Sequence, residues 1–400
     1  MDISKRAITP ISVSRFSTLR NIVGKGRKVR GTIGAIIFLL QACAKPIAPE
    51  QPPPIPEPME YPQNIILMIG DGMGLSAISA AMYSNKARLN LDRFPKIGLH
   101  KPYSFDDLIT DSAAGATAFA CGVKTYNNAI GVNSDTISCQ TILEEAVKRK
   151  KATGMVVTSS IVHATPAAFM AHQPLRVLYE AIAEDFMQTD VDLLIGGGER
   201  YFDNRDSDNR NLVAEWRKKG YQVWSYNQVS LASLKFDPAF KTVYFTADNH
   251  PPYWSMGRNY LPLATEKALK FLSERNKDGF FLMIEGSQID WAAHNNQGKE
   301  LISETLDFDQ AIGIVLDFAQ RRGDTLVIVT ADHESGGVAI NNDSSMGKIK
   351  PVFTSNGHTG ALIPVFAYGP QASLFTGIYE NTAINGKMRA AFGFPKDKAQ

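Results

Sequence analysis

Seven stretches of strand length are apolar with few polar interruptions: NIILMIG (64–70), TGMVVTSS (153–160), DLLIGGG (192–198), TVYFTA (242–247), GFFLMIEGS (279–287), TLVIVTA (325–331) and LIPVFAYG (362–369). A strand with one wet face alternates between apolar and polar residues, so continuous runs predict strands buried on both faces. Helix-period patterns lie between several of them: CQTILEEAVKRKKA (139–152), YEAIAEDFMQT (179–189), LATEKALKFLSERNK (263–277) and LISETLDFDQAIGIVLDFAQRRG (301–323). Strand alternating with helix predicts an α/β fold, a large, mostly parallel sheet sandwiched between helices. Residues 199–262 are richer in polar and aromatic side chains and less regular, and are expected to form an insertion or a rim over a site. The folded domain is expected to span 64–400.

The segment before residue 64 reads differently. A basic stretch, GKGRKVR, precedes GTIGAIIFLL, which is too short to cross a bilayer, and LQAC ends at Cys43. That layout resembles a bacterial lipobox. The expectation is a lipoprotein signal peptide over 1–42, with a lipid on the Cys43 thiol as the membrane partner. The protein would then be exported and anchored at the periplasmic face of the outer membrane or at the cell surface. Residues 43–63 are proline-rich, with few large aliphatics, and suit an extended tether.

Over 400 residues the composition is 44% hydrophobic and 20% charged, which suits a soluble globular domain. Net charge is +2, and part of the basic excess lies in Arg20, Lys25, Arg27, Lys28 and Arg30, so nothing in the body suggests a nucleic-acid-binding face. Cys121 and Cys139 are expected as two buried thiols, not a bridge, and neither has the C-x-x-C neighbour of a cysteine zinc site.

The polar residues that carry chemistry cluster just past the apolar runs. Asp71 follows the first, and His163 and Thr165 the second. Glu285 ends the fifth, with Asp290 and His294 after it. Asp332 and His333 follow the sixth, and His358 precedes the last. In open α/β sheets ligands bind beyond the carboxyl ends of strands, so these polar residues fall where a site belongs. Histidine mixed with carboxylate suits two Zn²⁺ ions. Asp290 and His294 are four apart, and one helical turn would put both on one face. Asp71, Thr165 and Glu285 offer oxygen only, which suits a harder ion such as Mg²⁺.

Ser112, in TDSAAGATAFACGV, precedes a run of small helix-compatible residues. At a helix amino terminus it fits two roles: an anion-facing nucleophile, or, with Asp111, an ordinary cap. Beside a complete ligand set the nucleophile is the better reading. Arg176 has the planar fork that clamps phosphate oxygens. His100 and His250 have no evident partners and are expected on the surface or in loops. His172 is expected as a structural hydrogen-bonder, and TADNH (246–250) lacks the adjacent Asp-His pair of TADHESGG. Tyr253 and Trp254 fit either a pocket rim or the packing of the insertion.

In order along the chain, MIGDGMG, DSAAGATA, GVKTYNNAIGV, HATPAAFMAHQPLR, EGSQIDWAAH, TADHESGG and HTGALIPVFAYGP resemble the bacterial alkaline phosphatase family, from about Asn64 to the end. The resemblance implies an alkaline-phosphatase-like fold, a homodimer and hydrolysis of small phosphate monoesters through a phosphoserine. It implies that Ser112 is the phosphorylated serine and Arg176 the phosphate-binding arginine. Asp290, His294 and His358 would hold one Zn²⁺; Asp71, Asp332 and His333 a second; Asp71, Thr165 and Glu285 a Mg²⁺. Asp111, His163 and Trp291 would act beside these ligands. His163 stands where the best-known enterobacterial pattern has aspartate, and Trp291 where it has lysine, a combination similar to that of some cold-adapted marine relatives. Three readings stay open at this stage: a phosphodiesterase or sulfatase-like esterase on the same scaffold, a non-catalytic phosphate- or metal-binding lipoprotein, and an inert structural one.

Overall fold

The structure, a computed structural model, describes residues 59–395. The expected signal segment, Cys43 and most of the tether lie outside the described residues, and no described helix is long and apolar enough to cross a membrane.

Strands β1 (Asn64–Gly70), β2 (Lys96–Lys101), β3 (Ala152–Ser160), β4 (Leu193–Gly197), β5 (Gln222–Ser225), β6 (Thr242–Phe245), β7 (Phe280–Gly286) and β8 (Thr325–Thr330) belong to one sheet. Four short strands come next: β9 (Glu334–Ser335), β10 (Val338–Ile340), β11 (Pro351–Phe353) and β12 (His358–Thr359), with β9 pairing β12 and β10 pairing β11. Strands β13 (Ile363–Tyr368) and β14 (Gly377–Glu380) complete a ten-stranded sheet in the order β14-β2-β13-β8-β1-β7-β3-β4-β6-β5. Within this sheet every pairing is parallel except those of β13, which runs against both β2 and β8. All seven apolar runs are strands of this sheet.

Both faces are covered, as the continuous runs require. Along β1, Ile65, Leu67 and Ile69 enter one core while Ile66 and Met68 enter the other. The second core lies under α1 (Leu75–Ser84), α8 (Leu261–Arg275), α9 (Gln288–His294) and α10 (Gly298–Arg322). The first lies under α2 (Ser112–Cys121), α3 (Ile142–Lys148), α4 (Ala164–Ala167), α5 (Tyr179–Asp185), α6 (Arg200–Asp203), α7 (Leu212–Lys218) and α11 (Ala383–Ala391). The central strands are wholly buried. Each large apolar side chain taken fully out of water contributes roughly 1.5–3 kcal/mol, so the loops that leave these strands start from fixed points.

Residues 199–262 are only partly a rim. Their β5 and β6 extend the sheet beyond β4, and α6 and α7 pack on the first core. His100 is not a surface residue. It is fully buried on β2, its Nε2 donates to Ala331 O at 2.9 Å, and its ring meets Phe119 edge-on. Cys121 and Cys139 are unbonded and half-buried, with the Cys121 thiol donating to Cys139 O.

Candidate active site

The turns after β1, β3, β7 and β8 open at one end of the sheet. Because β13 runs the other way, its approach from β12 reaches that same end and brings His358 with it. Asp71 lies one residue past β1, His163 and Thr165 stand at the start of α4, Glu285 is the next-to-last residue of β7, Asp290 and His294 are on α9, and Asp332 and His333 follow β8. Most of them are buried, Asp71, Thr165, Glu285, Asp332 and His333 completely. The placement is made possible at Gly72, whose φ is +68° and where a Cβ would fall 2.7 Å from Ser335 Oγ and 2.9 Å from Asp290. Only glycine fits such a left-handed, crowded turn.

One group comprises Asp290, His294 and His358. The Nε2 atoms of the two imidazoles face each other at 3.0 Å, with Asp290 oxygens 3.3 Å and 3.5 Å from them. His294 Nδ1 donates to Asn356 O at 2.6 Å and His358 Nδ1 donates to Thr110 O at 2.8 Å. Those bonds occupy both Nδ1 atoms, so the two Nε2 atoms are left facing one another and a carboxylate. Such an arrangement calls for a cation. Asp332 and His333 form a second group with Asp71: His333 Nε2 is 3.1 Å from Asp332 Oδ2 and 3.5 Å from Asp71 Oδ1. The stacked rings of His333 and His358, with centroids 3.5 Å apart, join the two groups.

Asp71, His163 and Glu285 form the third group, with a donor atom from each lying within 4.8 Å of the others. Asp71 Oδ2, His163 Nδ1 and Glu285 Oε1 are buried without a hydrogen-bond partner among the described residues. Native interiors rarely tolerate such orphans, and a metal ion would satisfy the two carboxylate oxygens. Thr165, expected as an oxygen ligand here, is fully buried beside Glu285. His163 lies against this group; with its Nε2 accepting from Arg176, the ring proton sits on Nδ1, so the imidazole stands beside the oxygen ligands and is not one of them.

The electrostatics agree. Burial, then the carboxylates of Asp332, Asp290 and Glu285, push Asp71 well above the usual carboxylate range. Burial pushes Glu285 up to about 8. For Asp290 burial acts upward too, but the hydrogen bond from His294 and the neighbouring imidazoles prevail and hold it low. Burial, then His333, lowers His358 to about 4. A buried concentration of carboxylate is stable only with compensating positive charge.

Ser112 opens α2, with its hydroxyl 3.2 Å from His333 Nε2 and 3.5 Å from Asp71 Oδ1. The capping role belongs to Asp111, whose Oδ1 accepts from Ala114 N at 3.0 Å, so the Ser112 hydroxyl is not used as the cap. The other Asp111 oxygen accepts from Arg176 Nη1 at 2.9 Å, and Arg176 Nη2 donates to His163 Nε2 at 3.2 Å. Backbone bonds fix the same corner: Asp111 N donates to Asn127 Oδ1 at 2.9 Å and Arg176 N donates to Asn128 O at 2.8 Å. A serine hydroxyl, a helix amino terminus and a guanidinium thus converge beside the ligand groups.

Two participants are not legible in the sequence. Ser335 donates to Asp290 Oδ1, and its Oγ is 3.2 Å from His333 Nδ1, bridging the two main groups. It lies inside TADHESGG, where a serine two residues past His333 is the available signal. His250, expected to lack partners, has several. Its ring meets those of His163 and Trp291, and Ser160 N donates to its Nδ1 at 3.1 Å. His172 is the hydrogen-bonder expected, its two ring nitrogens 2.6 Å from Gly131 O and 3.1 Å from Glu144 Oε1.

The sequence profile of the alkaline phosphatase family matches residues 62–352 and 341–394. Alkaline phosphatase 3 of Bacillus subtilis (strain 168) is 34% identical over 410 aligned positions, covering 80% of this chain and 87% of that protein. The solved alkaline phosphatase of the Antarctic bacterium TAB5 is 43% identical with a TM-score of 0.79, covering 84% of this chain and all of that one. A variant of it with aspartate in place of a histidine, solved with Mg bound in its M3 site, matches at 42% identity and the same TM-score, 0.79, again over 84% of this chain and all of the variant. With the fold, the profile and the relatives in agreement, the chain belongs to the alkaline phosphatase family.

Proposed function

We propose that the phosphate-monoester hydrolysis of this family runs here through Ser112 as nucleophile and Arg176 as phosphate clamp. The observation that carries the assignment is the position of Ser112 Oγ, 3.2 Å from His333 Nε2 and 3.5 Å from Asp71 Oδ1 at the amino terminus of α2. Asp290, His294 and His358 would hold one Zn²⁺, Asp71, Asp332 and His333 a second, and Asp71, Glu285 and Thr165 a Mg²⁺, with His163 at that third corner. Bound there, such ions supply Lewis-acid charge and lower the pKa of hydroxyl groups.

The chain's own part follows from charge. A phosphomonoester dianion repels nucleophiles, and Arg176 offers a planar fork to its oxygens while the first turn of α2 offers backbone N–H groups. Asp111 and His163 hold that fork in place. Ser112 Oγ forms the bond to phosphorus as the bond to the leaving oxygen breaks, and the proton lost from Ser112 is balanced by the one the leaving oxygen gains as it departs as an alcohol. Water then displaces Ser112, which restores the hydroxyl and releases inorganic phosphate. His163 and Trp291 define a subtype in which the third corner presents imidazole and indole in place of carboxylate and ammonium. This reading is supported by the Antarctic relative, one of whose solved variants carries aspartate in place of a histidine and Mg at M3. Export with a lipid on Cys43, drawn from the layout of the leading segment, and homodimer formation, implied by the family resemblance, are further parts of this reading.

The test compares p-nitrophenyl phosphate with its bis-ester. The monoester should be hydrolysed far faster, and Ser112→Ala should lose at least about a thousandfold in kcat. A preference for the diester, or a Ser112→Ala variant that keeps turnover, contradicts the assignment.

A further inference from the structure

We propose that His250, supplied by the loop that follows β6, is a positioning residue for phosphate binding, acting through His163 on Arg176. The inference rests on the reading of Arg176 as phosphate clamp. Three rings meet edge-to-face: His250 and Trp291 with centroids 4.8 Å apart, and His163 5.7 Å from each. Interplanar angles of 79–84° exclude stacking and leave each ring braced by the other two. His250 is itself anchored, because Ser160 N donates to its Nδ1 at 3.1 Å. Ser160 ends β3, three residues before His163, so one imidazole supports both the start of the turn and the ring at its end.

Among the described residues, the side-chain hydrogen bond that holds His163 is the one to Arg176. Guanidinium only donates, so His163 Nε2 must present its lone pair to Arg176 Nη2 at 3.2 Å. The ring must therefore lie in one plane for the fork to be held on both sides, by Asp111 at one nitrogen and His163 at the other. His250 and Trp291 are the rings that set this plane.

The loop bearing His250 is built to stay still. Gln288, buried on α9, donates from Nε2 to Thr158 O at 2.7 Å and Pro251 O at 2.9 Å, tying the residue after His250 to β3. At Gly197 a Cβ would fall 2.1 Å from Asn249 O, so the loop lies directly on the end of β4. Further along, Trp254 N donates to Glu304 Oε1 of α10 at 2.6 Å. Residues 246–258 thus deliver a rigid side chain to the active site, which a packing role for the loop alone would not require.

The experiment measures KM and the inhibition constant of inorganic phosphate for His250→Ala, His163→Ala and the double variant, all as metal-loaded full-length protein. Removing a support of a charged hydrogen bond should raise both constants by about tenfold in His250→Ala, with a smaller change in kcat. In the His163→Ala background the same change should have no further effect, because the path runs through His163. Equal effects in both backgrounds, or an unchanged phosphate inhibition constant in folded His250→Ala, overturn the proposal. Should His250→Ala fail to fold, His250→Phe, which keeps a ring but loses the acceptor for Ser160 N, carries the same double-variant comparison. Loss of monoester hydrolysis in the unmodified protein would instead contradict the functional reading itself.

Discussion

Asp111 shows how closely stability and binding are interwoven at single residues. One of its oxygens caps α2 and the other holds Arg176. Asparagine caps as well as aspartate, so Asp111→Asn should leave the urea midpoint nearly unchanged while raising KM several-fold, through loss of the charged bond to Arg176. Asp111→Ala should add a stability loss of about 1 kcal/mol. Paired urea melts and steady-state kinetics separate the two contributions. His172 offers a test by pH. Burial pulls its pKa down, but Glu144 and the carbonyl of Gly131 prevail and raise it from 6.5 to about 9. A raised folded pKa means the contribution is fully present below pH 6.5 and is lost as pH rises through about 9. The gap in Tm between the unmodified protein and His172→Gln should therefore be widest below pH 6.5 and shrink on the alkaline side. A gap that widens with pH would show the sign to be wrong.

Among the elements, the strands were the most legible part of the chain. β1, β3, β4, β6, β7, β8 and β13 are buried on both faces, and burial on both faces writes a continuous apolar run. The sheet's outer strands were not read: β2 and β14 are largely exposed and their sequences, KIGLHK and GIYE, carry no such run. Helix α2 was marked by its small residues, and the structure gives the reason. At Gly115 a Cβ would sit 3.1 Å from Asp332 Cβ and 3.3 Å from its carbonyl oxygen. Alanine favours a helix interior by up to about 1 kcal/mol over glycine, yet here it would push Asp332 from its place. Gly115→Ala should accordingly keep or gain thermal stability and lose about tenfold in kcat/KM, given how steeply rate depends on alignment. Equal activity would mean the helix and the β8 turn have slack at this contact.

For the molecule as a whole, the residues that gather at the site were legible because they sit at strand ends, whereas their supports were not. Ser160 and His250 are 90 positions apart, and Thr110 reaches His358 across 248. No periodicity records such pairings. The same holds for Arg258, buried with Glu304 and Asp307, its Nη1 donating to Asp307 Oδ2 at 2.8 Å. Arg258→Ala would leave two buried carboxylates uncompensated and should cost about 3 kcal/mol in urea unfolding. A loss below about 1 kcal/mol would show the cluster to be well hydrated.

Metal binding operates at the same scale, because the ligands come from turns that converge only in the folded chain. Chelation should abolish activity and lower Tm, and Zn²⁺ with Mg²⁺ should restore both, a saturating ion adding about 2.7 kcal/mol at a hundredfold excess over its Kd. Insensitivity of Tm to chelator would contradict the convergent sites. The most direct measurement of all is an acid quench during turnover, followed by peptide mass spectrometry. Phosphate should be found covalently on the peptide carrying Ser112 and on no other. Turnover with Ser112 free of phosphate, or label on a different residue, would contradict the assignment of the nucleophile.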